Sequence, residues 1–118
     1  MLAVAAVVLV LMIAVADVGI YFAARFRAAG AADAAALAAA PVTFAPFGAV
    51  GSPADEAKRV AAANGASLTS CRCPVDRSWN PRTVAVTVAV RPRIPGMGAV
   101  TVTAASRAEF VPAALLAP

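Results

Sequence analysis

Residues 1–40 read MLAVAAVVLVLMIAVADVGIYFAARFRAAGAADAAALAAA. The first sixteen carry no charge, and no proline interrupts the forty. Alanine is the strongest helix former and most of the rest are good ones, so the stretch reads as one helix. At about 1.5 Å per residue it is roughly 60 Å long, whereas a bilayer core is only about 30 Å thick. The sequence therefore divides into an apolar anchor over 1–24, a soluble continuation of the same helix over 25–40, and a small head over 41–118. No Lys or Arg precedes the apolar run, and its length suits a retained span better than the shorter core of a signal peptide.

Composition narrows the function classes. The chain has 118 residues, room for one domain. It is 62% hydrophobic, with ten Lys and Arg against six acids and no histidine. The cations are scattered rather than massed, so nothing implies nucleic-acid binding. Without histidine, the commonest general base and zinc ligand are missing. The expectation is a non-enzymatic protein with no cofactor and no small-molecule substrate.

Within the anchor, Asp17 is the one side chain charged at neutral pH. At the centre of a span such a residue costs about 2.5–3.5 kcal/mol on insertion scales. Either it lies near the interface, where water reaches it, or it meets a cation on a neighbouring subunit. Gly19 allows another helix to approach closely. Tyr21 and Phe22 suit the aromatic belt, and Arg25 and Arg27 mark the exit from lipid. Those two arginines favour a cytoplasmic C-terminus by the positive-inside rule; the two cysteines and the strand-rich head favour an exported one, and an exported head is the expectation.

Beyond the exit, Phe26, Gly30, Asp33 and Leu37 share one helix face. A helix this poor in large side chains suits close packing on a sheet or on copies of itself. Pro41 is expected to end it. A linker follows, in which Phe44 and Phe47 would cap the core. Ser52, Pro53, Asp55 and Glu56 then form a strong helix start, and Asn64-Gly65 a stop.

Three strands are expected after that: 67–73, 83–90 and 99–105. The second, TVAVTVAV, places Val84, Val86, Val88 and Val90 on one face. The resulting fold class is α+β: a long membrane-plus-soluble helix, a short second helix and a three-stranded antiparallel meander.

The candidate chemical groups are few. Cys71 and Cys73 form a C-x-C, too few ligands for a closed zinc site. In a regular strand their side chains lie about 7 Å apart, too far for a bridge without a bulge or turn. An intrachain disulfide, a bond to another chain and two buried thiols all remain open on this reading. Ser52, Lys58 and Ser67 do not make a catalytic pair, since Ser52 is a cap. Pro95-Gly96-Met97-Gly98 lacks the strand-to-helix context of a phosphate loop. Trp79, between Arg77 and Arg82, is either an exposed contact or a cover for the sheet edge.

The run ADVGIYFAARFRAAGAADAAALAAA resembles the signature region of TadE/TadG-like proteins, minor pilin-like components of the tight-adherence (Flp-type) pilus machinery. Asp17, Gly19, Tyr21, Arg25 and residues 31–40 carry the likeness, and VAAANGASLTSC resembles the actinobacterial TadE-like subgroup. The resemblance implies a single-pass surface protein of the cell membrane with an extracytoplasmic head. Its partners would be membrane lipid and other pilin-like subunits, met through the N-terminal helix, with Asp17 and Gly19 at that contact. The second helix lacks the cysteine some relatives carry, so the resemblance turns Cys71 to Cys73. A different reading, from the residues alone, is a monomeric anchored module that binds through its sheet edge or the Trp79 loop.

Overall fold

In the computed structural model, which describes residues 1–44 and 51–116, the opening stretch is a single uninterrupted helix. This helix, α1 (Leu2–Val42), has 41 residues and would measure about 62 Å; the whole chain extends 71 × 27 × 17 Å. The chain goes on through α2 (Pro53–Ala63), β1 (Ser67–Arg72), β2 (Arg82–Val90), β3 (Arg93–Ile94), β4 (Gly98–Ala99) and β5 (Val102–Phe110), and then a short 3-10 helix, Pro112–Leu116. Strands β1, β2 and β5 form an antiparallel sheet in that order, and β3 and β4 form a separate hairpin. The fold is α+β, as expected.

The two halves of α1 live in different surroundings. Its most apolar stretch has no buried residue, and by length and composition it can cross a membrane. Burial begins at Ala24 and continues through Ala28, Ala31, Ala32, Ala35, Ala36, Ala39 and Ala40. These positions recur at helical spacing, and with only a methyl group at each, partner backbones can come close. Opposite them lie Val84, Val86, Val88 and Val90 of β2, all buried, and Ala57 and Ala61 of α2. Burial of each valine is worth about 1.5–3 kcal/mol; the alanines set the distance.

Four local features depart from the sequence reading. Pro41 lies inside the last turn instead of ending the helix at Ala40. The chain accommodates it by tightening to i→i+3 bonds: Thr43 N–H to Ala40 O and Phe44 N–H to Pro41 O, each 3.2 Å. The Thr43 hydroxyl also donates to Ala40 O at 2.6 Å. Phe44 is buried; Phe47 falls outside the described residues.

The second departure is a bulge between Leu68 and Ser70. Strict alternation would put Leu68 and Cys71 on opposite faces. The extra residue, Thr69, turns both towards the core, and its hydroxyl donates to Thr87 O at 3.0 Å. Third, the last strand of the sheet is Val102–Phe110, not 99–105. Its inward side carries Val102, Ala104, Ser106, Ala108 and Phe110, paired with Val90, Val88, Val86, Val84 and Arg82. Those residues are mostly small because α1 presses on them, and small residues carry little strand signal. Fourth, RPRIPGMG at 91–98, which by its prolines and glycines reads as a plain turn, carries most of the β3–β4 hairpin, closed by Arg93 pairing with Ala99.

The second helix is built as its sequence implies. Ser52 Oγ accepts from Asp55 N–H at 3.1 Å, and Asn64 closes the far end. Gly65 then takes a φ of 77°, the left-handed region where side chains are disfavoured.

Candidate functional site

The anchor residues singled out from sequence meet the head at one place. The β3–β4 hairpin lies on α1 at Asp17–Phe22, where Ile94 is only 2% exposed. Together they line an apolar pocket of about 300 Å³, whose walls are Asp17, Val18, Tyr21, Phe22, Ile94, Met97 and Val100. Gly96 sits directly over the Asp17 carboxylate: a Cβ there would fall 2.5 Å from Asp17 Oδ2. Asp17 Oδ1 is buried and accepts no hydrogen bond. Among the described residues the only ion pair is Glu56–Arg59, on α2, so none of them supplies Asp17 with a cation.

The other membrane-exit residues divide. Tyr21 stacks edge-on with Phe22, ring centroids 6.0 Å apart, and its hydroxyl accepts from Arg25 Nη1 at 3.4 Å. Arg27 turns away, its Cδ against Gly65 at the end of α2. A Cβ at Gly19 would meet nothing within 4 Å, so no contact among the described residues accounts for a glycine there. Ile94, Gly96 and Met97, which complete the junction, read as turn residues in sequence. The available signal was an isoleucine held between prolines in a segment that otherwise had no reason to be apolar.

Past the junction, α1 is inverted relative to an ordinary amphipathic helix. Its alanines face the head, while Phe26 is 76% and Leu37 68% exposed. Asp33 lies on that outer side too, but at its margin, where Ser106 Oγ donates to Asp33 Oδ1 at 2.6 Å.

Cys71 and Cys73 form an intrachain disulfide with a Cα–Cα distance of 5.5 Å. Strand β1 stops at Arg72, so Cys73 lies beyond the regular geometry that would have held the sulfurs apart.

At the far end of the head, Arg82 is 7% exposed. Its guanidinium donates to the carbonyls of Thr43 (3.1 Å), Asn80 (3.0 Å), Asp76 and Ser78. It lies over Phe44, 5.7 Å from the ring centroid, rather than stacking on Trp79 as its sequence position allowed. Trp79 meets Phe44 edge-on at 4.9 Å. Asp76 accepts from the backbone N–H and hydroxyl of Ser78 at 2.8 and 2.9 Å. Those two bonds, aided by Arg82, hold its carboxyl below the ordinary value. The arrangement is a fastener: one buried cation gathers the 76–80 loop onto the end of α1.

On the open face of the sheet a shallow groove of about 400 Å³ lies over Ala85, between Arg72 and Arg107, with Ser70 and Thr87 along it. Among the described residues no group of three or more His, Cys, Asp or Glu gathers to hold a metal ion. Comparison with family models, with curated proteins and with solved structures gives no match.

Proposed function

We propose that this chain is a non-enzymatic, membrane-anchored, pilin-like subunit of the TadE-like kind, serving a tight-adherence pilus or a related assembly machine. The head lies outside the membrane, and α1 packs with the equivalent helices of similar subunits. One observation carries the reading: on the wet half of α1 the large apolar side chains, Phe26 and Leu37, point away from the head. A helix that served only to tether the head would turn them inward. A neighbouring helix covers such a stripe, and the open space at Gly19, on the same helix face, extends the contact into lipid. Asp17 lies on the opposite face, beneath Gly96, and its partnerless oxygen would meet a cation or free amine of a neighbour through a separate contact.

The Arg72–Arg107 groove favours a second reading, a monomeric anchored binding module. Crosslinking in native membranes separates the two. Cysteines placed at Phe26 and Leu37 should give ladders of crosslinked species, and Asp17→Ala should weaken them. Recovery of monomer alone would favour the binding module.

A further inference from the structure

We infer that the β3–β4 hairpin is a second membrane contact, its tip lying in the headgroup region with anionic lipid headgroups against its arginines. The inference rests on the reading of α1 as a membrane span and adds to it a part of the head.

Three observations converge on it. Ile94 is buried against α1 at Asp17–Phe22, so the hairpin is fixed to the helix where the aromatic residues end the apolar run. Whatever depth Tyr21 and Phe22 take, the hairpin takes with them. Next, the apolar surface of α1 does not stop there: exposed Val18 and Phe22 continue across the pocket to Met97, which is 71% exposed at the hairpin tip. A side chain of that kind, facing outward beside a lipid-facing helix, suits the boundary of an acyl layer. Finally, the charge around it has one sign. Arg91 and Arg93 both precede Ile94, the segment 91–100 has no acid, and Arg25 stands one turn above Tyr21 on the helix. The single carboxylate nearby, Asp17, is tucked under Gly96. A cationic rim around an apolar tip matches an anionic lipid surface.

The test uses the full chain in phosphatidylcholine vesicles, with and without phosphatidylglycerol. Nitroxide labels are placed singly at Val8→Cys, Met97→Cys and Lys58→Cys; Cys71 and Cys73 are bonded to each other and do not react. Collision with oxygen, which concentrates in lipid, is compared with collision with a water-soluble nickel chelate. The oxygen-to-nickel ratio should be highest at 8 and lowest at 58. At 97 it should lie several-fold above that at 58, rise with phosphatidylglycerol, and lose that rise in Arg91→Gln/Arg93→Gln.

If 97 matches 58 while 8 remains in lipid, the hairpin proposal fails and the anchor stands. If 8 also matches 58, the membrane reading itself fails. If the label at 97 is shielded from both reagents and Met97→Cys crosslinks to a second copy, the hairpin is a subunit contact, which overturns the lipid assignment.

Discussion

Ser106 on β5 donates a 2.6 Å hydrogen bond to Asp33 on α1, joining residues 73 positions apart. It links the one polar side chain of the alanine stretch to the one polar inward position of β5, and so fixes how far the helix slides along the sheet. Charge-assisted bonds of this length are the stronger kind, but both partners are solvent-accessible. Asp33→Ala and Ser106→Ala should each cost about 1 kcal/mol. The double variant should cost little more than either, by denaturant unfolding of the detergent-solubilised chain; additive losses would show that the bond contributes nothing.

The alanine stripe sets the spacing between α1 and the sheet, so it should tolerate no enlargement. Ala35→Leu, at a fully buried position, should destabilise the head by about 1–3 kcal/mol or more, as overpacked cores do. Leu37→Ala, two residues on and facing outward, should leave head stability within about 0.5 kcal/mol, the usual range for surface changes. Under the proposed function it should nevertheless reduce crosslinked ladders. Equal effects on stability would contradict the inverted face.

Arg82 gathers four backbone carbonyls, of which Thr43 O also accepts from Asp76 N–H at 2.9 Å. Arg82→Met keeps the stem but removes the donors, and should cost about 2 kcal/mol, with a change in Trp79 fluorescence as the 76–80 loop loosens. Arg82→Lys should recover only part, since an ammonium lacks the planar fork that reaches several carbonyls together.

Asp76 should give the same loop a pH dependence. Its carboxyl is lower in the folded chain, first because of the two Ser78 bonds. The unfolded chain therefore binds the proton more readily, and stability from this group is complete above the unfolded value of about 3.9. It is lost as pH falls through the folded value. Trp79 fluorescence should report loop opening in that acid range, and Asp76→Asn should remove the transition.

The disulfide closes a very short loop, so its stabilisation by chain entropy is on the order of 1–2 kcal/mol. Alkylation of the unfolded chain should label no thiol before reduction and two after it. Reduction should lower the unfolding midpoint modestly without abolishing the fold.

Elements governed by neighbours in sequence were legible; those governed by neighbours in space were not. The Ser52 cap, the Asn64-Gly65 stop and the valine strand follow from residues a few positions apart. The Thr69 bulge does not: it answers the need to bring Leu68 and Cys71 onto one core. The shift of the last strand to 102–110 has the same origin, since its inward Ala and Ser positions make sense only beneath α1. At the junction, Asp17 and Tyr21 stood out as anomalies in an apolar run. Their partner segment was hidden because Ile94 and Gly96 matter only once the hairpin is laid against the helix.

The central claim is that one rigid helix serves both lipid and head. Spin labels at Val8→Cys and Leu37→Cys, in chains diluted with unlabelled protein in bilayers, measure it directly. Twenty-nine residues of continuous helix separate the two sites, so pulsed dipolar spectroscopy should give a single narrow distance of about 44 Å, lengthened only by the label arms. A broad distribution centred well below that would mean that α1 is broken between membrane and head, and would contradict the account.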